Sequence, residues 1–81
     1  MKLPRDLSGN GLATKLSIFG YRITRQTGSH LRLTTTERGE HHITIPNHPS
    51  LRIGTVAAIL SDVALHLEIP KEELNSSLFE K

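Results

Sequence analysis

Eighty-one residues without a cysteine read as one small domain, and they exclude disulfide frameworks and Cys-based zinc sites. A chain of this length buries roughly 60–65% of its unfolded surface, so a core of about a dozen apolar side chains is expected, with any site a shallow surface. The formal net charge of +2 hides an asymmetry: residues 1–52 carry eight Lys/Arg against three Asp/Glu, residues 53–81 two against five. A basic body with an acidic tail points to a polyanionic ligand for the body.

Met1 to Pro4 leads into Arg5 and Asp6 with no apolar run, so no signal peptide is expected. The longest apolar stretch, Val56 to Leu60, is too short to span a bilayer. The expectation is a cytoplasmic protein with no membrane partner.

Ser8 is a good N-cap, Leu12, Leu16 and Phe19 follow at helical spacing, and Gly20 is placed to end the helix. This predicts a helix over residues 9–19, although Gly9 and Gly11 oppose it by up to about 1 kcal/mol each. Three alternating segments come next, Tyr21 to Gln26, His30 to Thr35 and His41 to Ile45. Gly- and Pro-containing breakers separate and close them, which predicts an antiparallel meander. Asn47 to Gly54 reads as a loop and Thr55 as the cap of a second helix, whose Val56, Ile59, Leu60, Val63, Ala64 and Leu67 form the strongest periodic signal in the chain. Pro70 opens a short last helix carrying Leu74 and Leu78, with Lys71, Glu72 and Glu73 facing solvent. The order is α-β-β-β-α, an α+β domain over residues 1–81 with helices on one sheet face and a helical appendix at 68–81.

Strand alternation sorts the side chains into two faces. Leu31, Leu33, Ile43 and Ile45 point to the helices, with Tyr21 and Ile23 as further core candidates. A two-residue Gly28-Ser29 turn would pair Ile23 with Thr34 and contradict that pattern. A three-residue loop, Thr27 to Ser29, pairs Ile23 with Leu33 and Gln26 with His30, and is preferred for that reason. The open face then gathers Arg22, Thr24, Gln26, His30, Arg32, Thr34, His42 and Thr44, with no acid among them. A loop centred on Arg38 pairs Arg32 with Thr44 and Thr34 with His42. His30 and His42 are then four residues apart along adjacent strands, about 13 Å, too far for a direct acid/base pair.

Five histidines, His30, His41, His42, His48 and His66, invite a metal reading. His41 and His42 point to opposite faces without a neighbouring acid on the open face, so no metal is expected. His66, near the end of the main helix, reads as a helix-terminal charge partner, and His48 as structural or a ligand contact. His30 stands out by position: a central strand, a basic open face, and a Gly28-Ser29 turn that lets a substrate backbone approach closely.

The stretches "KLPRDLSG" at 2–9, "FGY" at 19–21, "RQTGSHLRL" at 25–33, "HHITIPNH" at 41–48 and "GTVAAIL" at 54–60 together resemble the HicA mRNA interferase toxins, in order and spacing. The resemblance implies a double-stranded-RNA-binding-like α-β-β-β-α fold, ribosome-independent cleavage of mRNA, and inhibition by a HicB-type antitoxin. It also implies that the functional histidine is that of Gly28-Ser29-His30. His48 matches a position that is often histidine, with no catalytic role carried over. The chain departs from the pattern in its first helix and after the Gly-Thr of the second, where members commonly carry Lys or Arg and only Lys15 is present here.

RNA is cut without a metal or other cofactor when its own 2′-OH attacks the adjacent phosphorus. The reaction needs a base, an acid for the leaving 5′-oxygen, and cations for the phosphate. His30 suits either proton transfer, its ordinary pKa being near ~6.5. Arg32 is placed to clamp the phosphate, Gln26 to orient the ring or the sugar, and Arg22 or Arg25 to track the backbone. Gly28, Ser29 and His42 complete the expected RNA surface. The second proton-transfer group stays open between water and Tyr21. Two competing classes, a non-catalytic RNA-binding module and an interaction domain acting through its tail helix, are consistent with the same residues.

Overall fold

Ser8 opens the first helix as an N-cap, its Oγ accepting from the Gly11 N–H at 2.9 Å. The computed structural model describes residues 6–79, and in it α1 (Gly9–Leu16) runs into a 3-10 turn (Ser17–Phe19) that stops at Gly20, φ 82°. Glycine takes that left-handed backbone without steric cost where the chain turns into the sheet. β1 (Arg22–Gln26), β2 (His30–Thr35) and β3 (His41–Pro46) follow, then α2 (Ile53–Leu67) and α3 (Lys71–Phe79). The result is an α+β fold with the expected α-β-β-β-α layout and a C-terminal helix. Residues 2–5 of the first motif and the charges of Glu80 and Lys81 lie outside the described residues.

The sheet is antiparallel in the order β1-β2-β3. β2 and β3 pair as the spacing predicts, Arg32 with Thr44 and Thr34 with His42. Arg38 (φ 57°) and Gly39 (φ 98°) turn the loop between them. The helices cover one side, and Leu12, Leu16, Leu31, Leu33, Ile45, Leu60 and Val63 have no exposed surface. The core outgrows the expected dozen because Leu51, Leu74 and Leu78 join it. Gly9 has a positive reason to be glycine: a Cβ there would run into the Pro46 carbonyl. The Gly9 N–H also donates to the His48 carbonyl at 2.9 Å, so α1 is seated directly on the end of β3.

Three expectations need correction. The first hairpin turns in two residues, not three: the Thr27 N–H donates to the His30 carbonyl at 2.9 Å across Gly28-Ser29. Ile23 nevertheless pairs with Leu33, because a bulge at Thr24 absorbs one residue between Ile23 and Arg25. Beyond that bulge Arg25 opposes Arg32 and Gln26 opposes Leu31, so Gln26 does not face His30. Ile23 is not core; it is 43% exposed. The helices pack over β2 and β3, and β1, at the other edge of the sheet, stays exposed along its length. Finally, α2 starts at Ile53 with Arg52 as its cap, ahead of Thr55. Leu51 is buried and its N–H donates to the Leu7 carbonyl at 2.7 Å, which pins the chain just before the helix begins.

Candidate nucleic-acid interface

His30 begins β2, and the turn before it fixes both its backbone and its ring. Its N–H donates to Thr27 Oγ1 at 3.1 Å, and the Ser29 carbonyl accepts from the Asn47 N–H at 2.9 Å, tying the turn to the end of β3. The imidazole is exposed, with Nδ1 at 2.9 Å from Ser29 Oγ. Its Nε2 has no protein partner among the described residues. A hydroxyl both donates and accepts, so Ser29 holds the ring in either protonation state of Nδ1. A Cβ at Gly28 would meet nothing within 4 Å, so the approach over the turn is open.

The bulge sets the electrostatics. By pairing with Arg32, Arg25 shares its face, while Arg22 opposite Thr34 lies farther along the same surface. Neither Arg25 nor Arg32 forms an ion pair among the described residues. Like charges directly opposite each other on a sheet are destabilising. The pair stands without a carboxylate among the described residues to offset it.

An acid does reach the open face, against expectation. Glu40 precedes His42 by two residues, so alternation puts both on one side, and Glu40 Oε2 lies 2.7 Å from His42 Nε2. His42 Nδ1 is 2.7 Å from Thr34 Oγ1, which is 2.9 Å from Thr24 Oγ1. His42 is therefore engaged within the protein, four positions along the sheet from His30.

A second cluster lies on the helix side. Tyr21 is 1% exposed and its hydroxyl is 2.7 Å from His41 Nδ1. His41 Nε2 lies 3.3 Å from Asp62 Oδ1. Because the carboxylate only accepts, Nε2 carries a proton, and in the neutral imidazole Tyr21 donates to Nδ1. Burial, helped by the Asp62 and Glu37 carboxylates, pushes the Tyr21 phenol up to about 12. His66 stacks on His41 with ring centroids 4.3 Å apart, and its Nε2 donates to the carbonyls of Glu37 and Gly39 at 2.9 and 3.1 Å. These groups hold the β2–β3 loop against α2. Tyr21 is thereby removed as a proton-transfer partner of His30.

The family model of the HicA toxin of bacterial toxin-antitoxin systems matches residues 12–65, which cover α1 from Leu12 onward, the whole sheet and nearly all of α2. The chain belongs to the HicA toxin family. It is a toxin of a toxin-antitoxin system. No curated protein and no solved structure matches it. α3 falls outside the segment that the family model matches.

In this HicA toxin, His30, Ser29, Gly28, Arg25 and Arg32 come together at the turn end of the open face, with Arg22 and His42 beyond them. Gln26 is on the other face. Two participants escaped strand alternation: Arg25, whose face depends on the bulge, and Thr27, which caps the His30 backbone. Glu40 was legible in the spacing Glu40-x-His42. Among the described residues of the toxin, no group of three or more His, Asp or Glu side chains is placed to hold a metal ion, and no single helix is long and apolar enough to cross a membrane.

Proposed function

We propose that the toxin is a metal-independent endoribonuclease that cuts mRNA in the cytoplasm at His30 and is restrained by a HicB-type antitoxin covering the same face. The observation that carries this reading is an exposed imidazole, steadied at Nδ1 by Ser29, beside two arginines that oppose each other without a counter-ion. Arg25 and Arg32 hold the scissile phosphate and neutralise the charge that builds on it. The 2′-oxygen attacks phosphorus as its proton leaves, the bond to the 5′-oxygen breaks, and that oxygen takes up a proton. The products are a 2′,3′-cyclic phosphate and a 5′-hydroxyl.

His30 Nε2, open to the substrate, performs one of these proton transfers and Ser29 follows the change at Nδ1. Water supplies the other, since Tyr21 is sealed in the core and His42 stands about 13 Å away at ~3.3 Å per residue. The surface is shallow and exposed, and that suits a single strand rather than a small metabolite.

The test is cleavage of end-labelled single-stranded RNA by the purified toxin in EDTA, with analysis of the new ends. Cyclic-phosphate ends are expected. Cleavage that needs an added divalent metal, or that leaves 3′-hydroxyl ends, would sink the mechanism.

A further inference from the structure

Arg22, Thr24, Thr34, Thr36 and Glu37 line, with Gly20, a shallow cleft of about 410 Å³ on the open face. The hydroxyls in its floor have a defined polarity. Glu40 only accepts, so neutral His42 carries its proton on Nε2 and offers a lone pair at Nδ1. Thr34 therefore donates to His42 and accepts from Thr24. With that imidazole neutral, both hydroxyl protons are used inside the protein, Thr24 Oγ1 also lying 3.4 Å from the Arg32 carbonyl, and the two oxygens are left as acceptors on residues that line the cleft. The Glu37 carboxylate adds a further acceptor. Arg22 is the one cation among the lining residues. The cleft thus asks for a ligand that presents hydroxyl donors close to an anionic group.

We propose that this cleft is a ribose subsite for a nucleotide flanking the cleaved one. Arg22 takes its phosphate, and the acceptor row of Thr24, Thr34 and Glu37 receives the single proton of its 2′-OH, the group by which a protein tells RNA from DNA at a given position. Thr34 stands four residues along β2 from His30, about 13 Å, so the subsite belongs to a different nucleotide from the one that is cut. The proposal rests on the nuclease reading above and deepens it. It assigns a ribose requirement to a position where the chemistry itself has none. It also gives the Glu40–His42 pair a task, which is to orient the two hydroxyls.

The test is a walk of single 2′-deoxy substitutions along a single-stranded RNA that keeps its 2′-OH at the cut. Cleavage is followed with the wild-type toxin, and binding with the His30→Ala protein. One flanking position is expected to raise KM and Kd roughly tenfold when deoxy, as for loss of a charge-assisted hydrogen bond, with kcat unchanged. That penalty should shrink in Thr34→Val and in Glu37→Gln, the second a change at an exposed side chain. If every flanking deoxy position is neutral while the all-ribose strand binds, the subsite is wrong and the nuclease reading stands. A penalty of undiminished size in both variants would also overturn the subsite. Failure of the all-ribose strand to bind would overturn both.

Discussion

Arg25 stands directly across from Arg32 on the open face of the sheet, brought there by the one-residue bulge at Thr24. Bulges re-aim side chains in this way, often beside active sites. Replacing Arg25 with threonine removes a like-charge cross-strand pair, so stability is expected to rise by about 0.2–1 kcal/mol. RNA affinity should fall at the same time for all sequences alike, with a shallower dependence on salt, because a phosphate contact carries no base information. Urea unfolding and RNA titrations at several salt concentrations measure both effects. A variant that loses stability, or loses affinity for one sequence only, contradicts the placement of Arg25.

Most of the fold was legible in the order of apolar residues and breakers, and the failures share a cause. Period-two alternation assumes an uninterrupted strand. With Ile23 opposite Leu33, it forced a three-residue turn and put Gln26 beside His30. The bulge satisfies the two-residue Gly28-Ser29 turn and the Ile23–Leu33 pair together, and nothing in "RITRQ" announces it. Exposure of Ile23 was also hidden, since the lateral position of α1 over β2 and β3 is a property of packing. His30, Ser29 and Arg32 were readable because β2 is regular and its apolar face is unambiguous.

Tyr21 is the only tyrosine, and there is no tryptophan, so phenolate absorbance reports this residue alone. Its folded value of about 12 lies above the ordinary value near ~10. The protonated phenol thus favours the folded state: the contribution is fully present below pH ~10 and is lost as pH rises through about 12. A spectroscopic titration of the folded protein should show its midpoint well above that of the urea-unfolded chain. In Tyr21→Phe the protein should lose about 1 kcal/mol from the hydrogen bond to His41 and still cut RNA. Coincident midpoints, or loss of cleavage in a folded Tyr21→Phe protein, would refute this.

Asn75 is 9% exposed and its buried Oδ1 has no hydrogen-bond partner among the described residues, on a helix that buries Leu74 and Leu78. An unpartnered buried polar group costs about 1–3 kcal/mol. Asn75→Leu, of similar size, is expected to stabilise the fold by about 1 kcal/mol or more, read as a higher urea midpoint at unchanged slope. A lower midpoint would show that the amide makes a contact worth more than its desolvation.

An antitoxin that covers the open face should present carboxylates to Arg25, Arg32 or Arg22, with association that slows as salt rises. Modification of His30 by diethyl pyrocarbonate should be blocked in the complex. Replacing the arginines should weaken the complex, whereas His30→Ala should still bind. A complex in which His30 stays fully reactive means that inhibition works from another surface.

The imidazole of His30 is exposed and hydrogen-bonds among the described residues to Ser29 alone, so its removal should leave stability within about 0.5 kcal/mol. The most direct measurement is RNA cleavage in EDTA by wild type and His30→Ala at matched concentration, with RNA binding and thermal unfolding recorded on the same samples. Loss of cleavage in a variant that remains folded and still binds RNA is the expected result. A folded His30→Ala protein that cuts at the wild-type rate would show that the chemistry lies elsewhere.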